Sequence, residues 1–168
     1  MRQEPLRAGG ELEQVIDRYK TTVYGLALAR TGSRADADDV FQEVFLAYAQ
    51  STVSFREEEH RKAWLLRTTV HMCRWVTASS WRRKVLSLSQ REDRPVQFRC
   101  RAENELWQAL MSLEETYRLP LYLFYFEELS TQEIARALGV RPGAVRMRLS
   151  RGREQLRALL KGEDVNES

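Results

Sequence analysis

Apolar side chains recur three and four residues apart along most of the chain, and no stretch alternates apolar and polar positions as a half-buried strand would. The pattern predicts an all-α protein: two small helical domains joined by an extended linker, the C-terminal one a helix-turn-helix. Leu12, Val15, Ile16, Tyr19, Val23, Leu26 and Ala27 give a first helix one buried stripe, from Glu11 to about Thr31. Ser33 and Asp36 have capping-box spacing. Ala37, Val40, Phe41, Val44, Phe45 and Tyr48 follow as the cleanest amphipathic stripe of the chain. Residues 50–59 read as a polar loop containing Phe55. Helical spacing resumes near Arg61, with Leu66, Thr69, Val70, Cys73 and Val76 able to face inward.

Periodicity is then lost. Ser87, Ser89, Gln90, Asp93 and Pro95 mark residues 86–101 as a linker between a first domain at 11–85 and a second at 102–162. In the second, Leu106, Ala109, Leu110 and Leu113 form one stripe, and a helix rich in Tyr and Phe follows over about 116–127. Pro120 would cost ~3 kcal/mol inside that helix, so it is expected in the first turn or at a kink. From Leu129 the punctuation is dense. Ser130 and Glu133 make a capping box, Gly139 can take the left-handed conformation that stops a helix, and Pro142 suits the first position of the next. Val145, Leu149 and Leu156 bury that second helix, and a polar tail is expected after Lys161.

Charge changes the picture more by its placement than by its total, which is +3 with a pI near 9.0. Asp36, Asp39 and Glu43 share a face of the second helix, with Gln42 beside them. Like charges so spaced cost about a few tenths of a kcal/mol per pair. The helix dipole accounts for acids in the first turn, but Glu43 lies too far in for that, so the face reads as a partner-binding surface. On the third helix Arg67, His71, Arg74, Trp75, Ala78 and Arg82 gather opposite the buried stripe; arginines around an exposable indole suit phosphates and unstacked bases. After the turn, Arg146, Met147, Ser150, Arg151 and Arg153 remain outward, with Arg148 at the edge. Between Arg141 and Lys161 the one acid is Glu154. A basic helix after such a turn has the shape and charge that enter a DNA major groove.

Other chemistries find little support. Cys73 and Cys100 make neither a disulfide framework nor a zinc site, and His71 and Cys73 point in different directions on a helix. There is no phosphate loop and no nucleophile with a nearby base motif, so no metal, cofactor, enzymatic activity or small-molecule substrate is expected. No apolar run approaches the ~20 residues that span a bilayer, and a cytoplasmic location is expected.

Three blocks together resemble bacterial RNA polymerase sigma factors of the extracytoplasmic-function (ECF) group, within the sigma-70 family. They are Asp38-Asp39-Val40-Phe41-Gln42-Glu43-Val44-Phe45; Ala63-Trp64-Leu65-Leu66 leading to Arg82-Arg83-Lys84; and Tyr117-Arg118 through Ser130-Thr131-Gln132-Glu133-Ile134-Ala135 to the run from Val145 to Arg153. The resemblance implies that the acidic helix docks on core RNA polymerase, with Asp39, Gln42 and Glu43 matching the family's contacts and Asp36 beside them. It implies that residues 50–60 and the basic helix, through Arg67, His71, Arg74, Trp75, Arg82 and Arg83, hold the −10 element of promoter DNA, a flipped base included. It implies that Arg141, Arg146, Met147, Arg148, Ser150, Arg151 and Arg153 serve the −35 element, and that an anti-sigma factor is a further partner. The chain departs from the family at His71 and Trp75, where Asn then Asp are usual, at Glu114, where Pro is usual, and at Arg141 and Ala144. The competing reading is a stand-alone helix-turn-helix regulator, in which the acidic face would be idle.

Overall fold

The structure is a computed structural model that describes residues 9–86 and 105–166; for 79–86 and 162–166 it describes the backbone alone. The described residues form helices and connecting turns, with no strand among them. The chain divides into two compact units between residues 94 and 95.

The first unit packs three helices against one another: α1 (Gly9–Thr31), α2 (Arg34–Gln50) and α3 (Glu58–Leu86). The α1–α2 corner is made by Gly32, whose φ of 66° is the left-handed conformation a glycine adopts freely. Ser33 caps α2, its side chain accepting the Asp36 N–H at 3.3 Å. Val40, Val44 and Tyr48 of α2 and Leu65, Leu66, Cys73 and Val76 of α3 are all buried, and the two helices pack against each other. Thr69 is also buried, and its hydroxyl donates to the Leu65 carbonyl at 2.6 Å, so its own polar group is satisfied. The single stripe expected of α1 holds only in its first half. From Val23 to Ala29 every residue is buried, in a helix that packs against both α2 and α3.

Two corrections concern helix ends. Gln50 closes α2 rather than opening a loop, and α3 begins at Glu58, three residues earlier than the apolar spacing indicated. Glu58 and Glu59 supply the reason: carboxylates favour the first turn of a helix. Glu58 also accepts a 2.6 Å hydrogen bond from the Tyr19 hydroxyl and pairs with Arg18 and Arg61. The connection over 51–57 is pinned by Phe55. That ring stacks on Tyr48 at 6.0 Å, meets Trp64 edge-on at 5.9 Å and lies under the Arg61 guanidinium at 5.4 Å.

The second unit holds α4 (Glu105–Met111), α5 (Glu115–Tyr125), α6 (Thr131–Leu138) and α7 (Pro142–Asn166). Trp107, Tyr122 and Phe126 form an aromatic cluster, and the Tyr122 hydroxyl donates to the buried Glu127 carboxylate at 2.9 Å. Arg118 reaches back to the Met111 carbonyl at 3.2 Å, which ties the end of α4 to α5. Burial lowers its pKa against the opposing pull of Glu115. Pro120 lies in the interior of α5 and is buried, not in the first turn. Its ring packs in the core, and the helix forgoes one backbone bond. The polar tail expected after Lys161 is helical to Asn166. The linker reading falls outside the described residues, apart from Leu86, which closes α3.

Candidate nucleic-acid interfaces and the acidic face

The local signals of the helix-turn-helix are realised atom by atom. Ser130 and Glu133 form the reciprocal capping box, with the Glu133 N–H to Ser130 Oγ at 3.1 Å and the Ser130 N–H to Glu133 Oε1 at 3.2 Å. Gly139 has φ 68° and ends α6. Pro142 opens α7, and the Arg141 carbonyl takes the N–H groups of Ala144 and Val145 at 3.0 and 3.2 Å. Arg141 therefore stands at the cap, with an exposed side chain that has no acceptor to cap with.

Val145, Leu149, Gly152 and Leu156 form the buried line of α7. Gly152 is the residue that sequence reading passed over. A Cβ there would stand 2.8 Å from Leu121 Cδ1 and 3.3 Å from Tyr117 Cβ, so α5 and α7 touch nearly backbone to side chain at this point. That contact fixes which side of α7 looks out. Arg146, Met147, Ser150 and Arg151 are exposed there, and Arg148 is partly buried.

Arg153 does not join them. Its Nε donates to the Tyr125 hydroxyl at 2.8 Å, and its guanidinium lies over the rings of Phe124 and Tyr125 at 5.2 and 5.7 Å. Arg153, expected outward and DNA-facing, is partly buried and is held by the end of α5.

In the first unit Arg67, His71, Arg74, Trp75 and Ala78 are all exposed on α3, and Trp75 is 57% exposed, so the indole is not core. Cys73 is buried on the opposite side, so it and His71 cannot share a ligand. The side chains of Arg82 and Arg83 lie outside the described residues. No group of three or more metal-ligating side chains converges among the described residues, and no helix there is long and apolar enough to cross a membrane.

The acidic face of α2 needs one correction. Asp39 and Glu43 are partly exposed and Gln42 is exposed, but Asp36 is only 6% exposed. Asp36 precedes Val40 by four residues and Val44 by eight, which rotates it to the inward side of the helix. Its place on the face is taken by Leu46, 49% exposed and near the middle of the arc of Asp39, Gln42 and Glu43. The signal in the sequence was an apolar residue out of register with the stripe.

Comparison with known proteins places both units in one family. Residues 15–83 match the family model of sigma-70 region 2, and residues 103–156 that of sigma-70 region 4. The chain is 30% identical over 157 residues to the ECF RNA polymerase sigma factor SigE of Mycolicibacterium smegmatis. That match covers 88% of this chain and 61% of the relative, so the chain spans about three fifths of that protein. It is also 30% identical over 158 residues to the ECF RNA polymerase sigma-E factor of Haemophilus influenzae, covering 84% of this chain and 83% of the relative. Among solved structures, the sigma factor RpoE in complex with the anti-sigma factor NepR from Bartonella quintana superposes with a TM-score of 0.64 at 20% identity. It covers 90% of this chain and 97% of its own, a likeness of fold.

Proposed function

Because the chain belongs to the ECF group of RNA polymerase sigma factors, we propose that its α2 face docks on core RNA polymerase while two basic faces hold one promoter at two places. The observation that carries this reading is the sorting of charge by face. Asp39, Gln42 and Glu43 stand on α2, arginines flank an exposed indole on α3, and arginines line the outward side of α7. A stand-alone regulator has no use for the first two, and that reading is not favoured.

The physics follows from the faces. Arg141, Arg146, Arg148 and Arg151 approach duplex DNA at the −35 element, where phosphate neutralisation supplies affinity and base edges supply choice. At the −10 element Trp75 offers a stacking surface for an unpaired base, with Arg67, His71 and Arg74 along the same side of α3. The pinned 51–57 connection lies at the start of that helix. Unstacking and flipping a base costs about a few kcal/mol. Binding offsets that cost, so the protein opens DNA without itself making or breaking a covalent bond. An anti-sigma factor is the proposed regulating partner, and the cytoplasm is the proposed place of action.

The test is transcription by core polymerase with and without the full chain on genomic fragments, followed by start-site mapping. Asp39→Arg and Glu43→Arg are expected to lower core binding at least tenfold; unchanged binding in both removes α2 from the interface. Arg74→Ala and Trp75→Ala are expected to weaken permanganate reactivity of the −10 region while binding to an upstream duplex persists. A normal footprint in both refutes the role given to α3.

A further inference from the structure

Among the described residues, six large apolar side chains stand exposed: Leu46, Val53, Trp75, Tyr125, Met147 and Leu159. Met147, 54% exposed, is the one on the outward side of α7 among arginines. At ~100° per residue, counted from Gly143, the buried Val145, Leu149, Gly152 and Leu156 point at an average of about 210°. The outward pole is then at about 30°, and Met147 lies at about 40°. Arg151 is rotated about 50° to one side of the pole, Ser150 about 50° to the other, and Arg146 about 90°. The helix thus presents a thioether on its crest and cations on its flanks.

Position along the helix matters as well. Met147 is the sixth residue of α7 and sits in its second turn, in the N-terminal part that meets base edges when such a helix enters a major groove. A thioether donates no hydrogen bond and accepts weakly, so it cannot read the polar edge of guanine, cytosine or adenine. The apolar group on a major-groove edge is the C5-methyl of thymine. We propose that Met147 is a specificity-determining residue of the upstream element, its side chain packing on the methyl group of one thymine. This rests on the reading that α7 docks in duplex DNA. It adds which base, and which atom of it, the crest of the helix selects.

The test uses the full chain with core polymerase. An upstream element is selected from a pool of randomised duplexes, and each thymine in it is then replaced by deoxyuridine, which lacks only the methyl. At one position the replacement is expected to weaken binding about threefold to tenfold, the scale of one buried methyl group. Met147→Ala should lose a similar factor on the thymine duplex and nothing further on the uracil duplex. An unchanged urea midpoint is expected for this variant, since the side chain is exposed. A selected element without thymine, no position sensitive to uracil, or undiminished sensitivity in Met147→Ala each overturns the proposal. Arg146→Ala and Arg151→Ala separate the two levels. If they weaken binding while the methyl coupling is absent, Met147 alone is refuted. If neither weakens it, the docking of α7 fails with it.

Discussion

One substitution made twice on the same helix should have opposite signs. Gly143→Ala and Gly152→Ala both replace a helical glycine in α7 and gain up to ~1 kcal/mol of helix propensity. At Gly143 the added Cβ meets nothing closer than Arg146 Nη2 at 3.8 Å, so the gain is kept, reduced by its place in the first turn. We expect that variant to be stabilised by about 0.5 kcal/mol. At Gly152 the Cβ would stand 2.8 Å from Leu121 Cδ1 and 3.3 Å from both Leu121 Cγ and Tyr117 Cβ. Leu121 is fully buried and has little room to yield. Overpacking of this kind costs about 1–3 kcal/mol. Subtracting the propensity gain leaves a net loss of about 1 kcal/mol for Gly152→Ala. Gly152→Val adds two methyl groups beyond the alanine variant's Cβ and gives up part of that gain, so a loss nearer ~3 kcal/mol is expected. Hydrogen exchange of the α5 and α7 amides in the full chain reads the change in the right unit. If Gly152→Ala raises protection as much as Gly143→Ala, the close approach of α5 and α7 does not restrain the helix, and the account of which side of α7 faces out loses its basis.

Two further outcomes follow from individual contacts. Arg151→Ala should weaken binding to the upstream duplex by ~1–3 kcal/mol if it grips a guanine in bidentate fashion, whereas Arg153→Ala should leave affinity within about twofold and lower stability by under ~1 kcal/mol; a larger affinity loss at Arg153, by filter binding, refutes its assignment to the end of α5. The Tyr24 phenol is pushed up to about 12 by burial first and by Asp38 second, with Arg34 pulling it down. The folded state therefore holds this proton more tightly than the unfolded state, whose ordinary value is 10.0. The associated stability is complete below pH 10 and is lost as the pH rises toward 12. Tyr24→Phe should lack this loss, so the difference between the two proteins' urea midpoints changes across that window; parallel curves contradict the shift.

Much of this molecule could be read from neighbours in sequence. Ser130, Glu133, Gly139 and Pro142 each act within four residues of themselves, and the structure places every one as its chemistry requires. The stripe of Val40, Val44 and Tyr48 was legible for the same reason. Asp36 and Leu46 were not. Whether a residue at the border of an amphipathic arc is covered depends on how far the neighbouring helices wrap round, and Asp36 is covered while Leu46 is left open. The all-round burial of α1 from Val23 to Ala29 has the same origin.

The sequence by itself determined the helices, their caps, the turn between α6 and α7, and the sorting of acids and bases onto separate faces. These depend on backbone sterics and on a period of 3.6 residues, both of which operate over a few positions. Only the tertiary structure decided that Arg153 belongs to Tyr125, 28 residues away, and that Gly152 is where α5 presses on α7. Such contacts depend on the distance and rotation between packed helices, and no spacing along one helix encodes either.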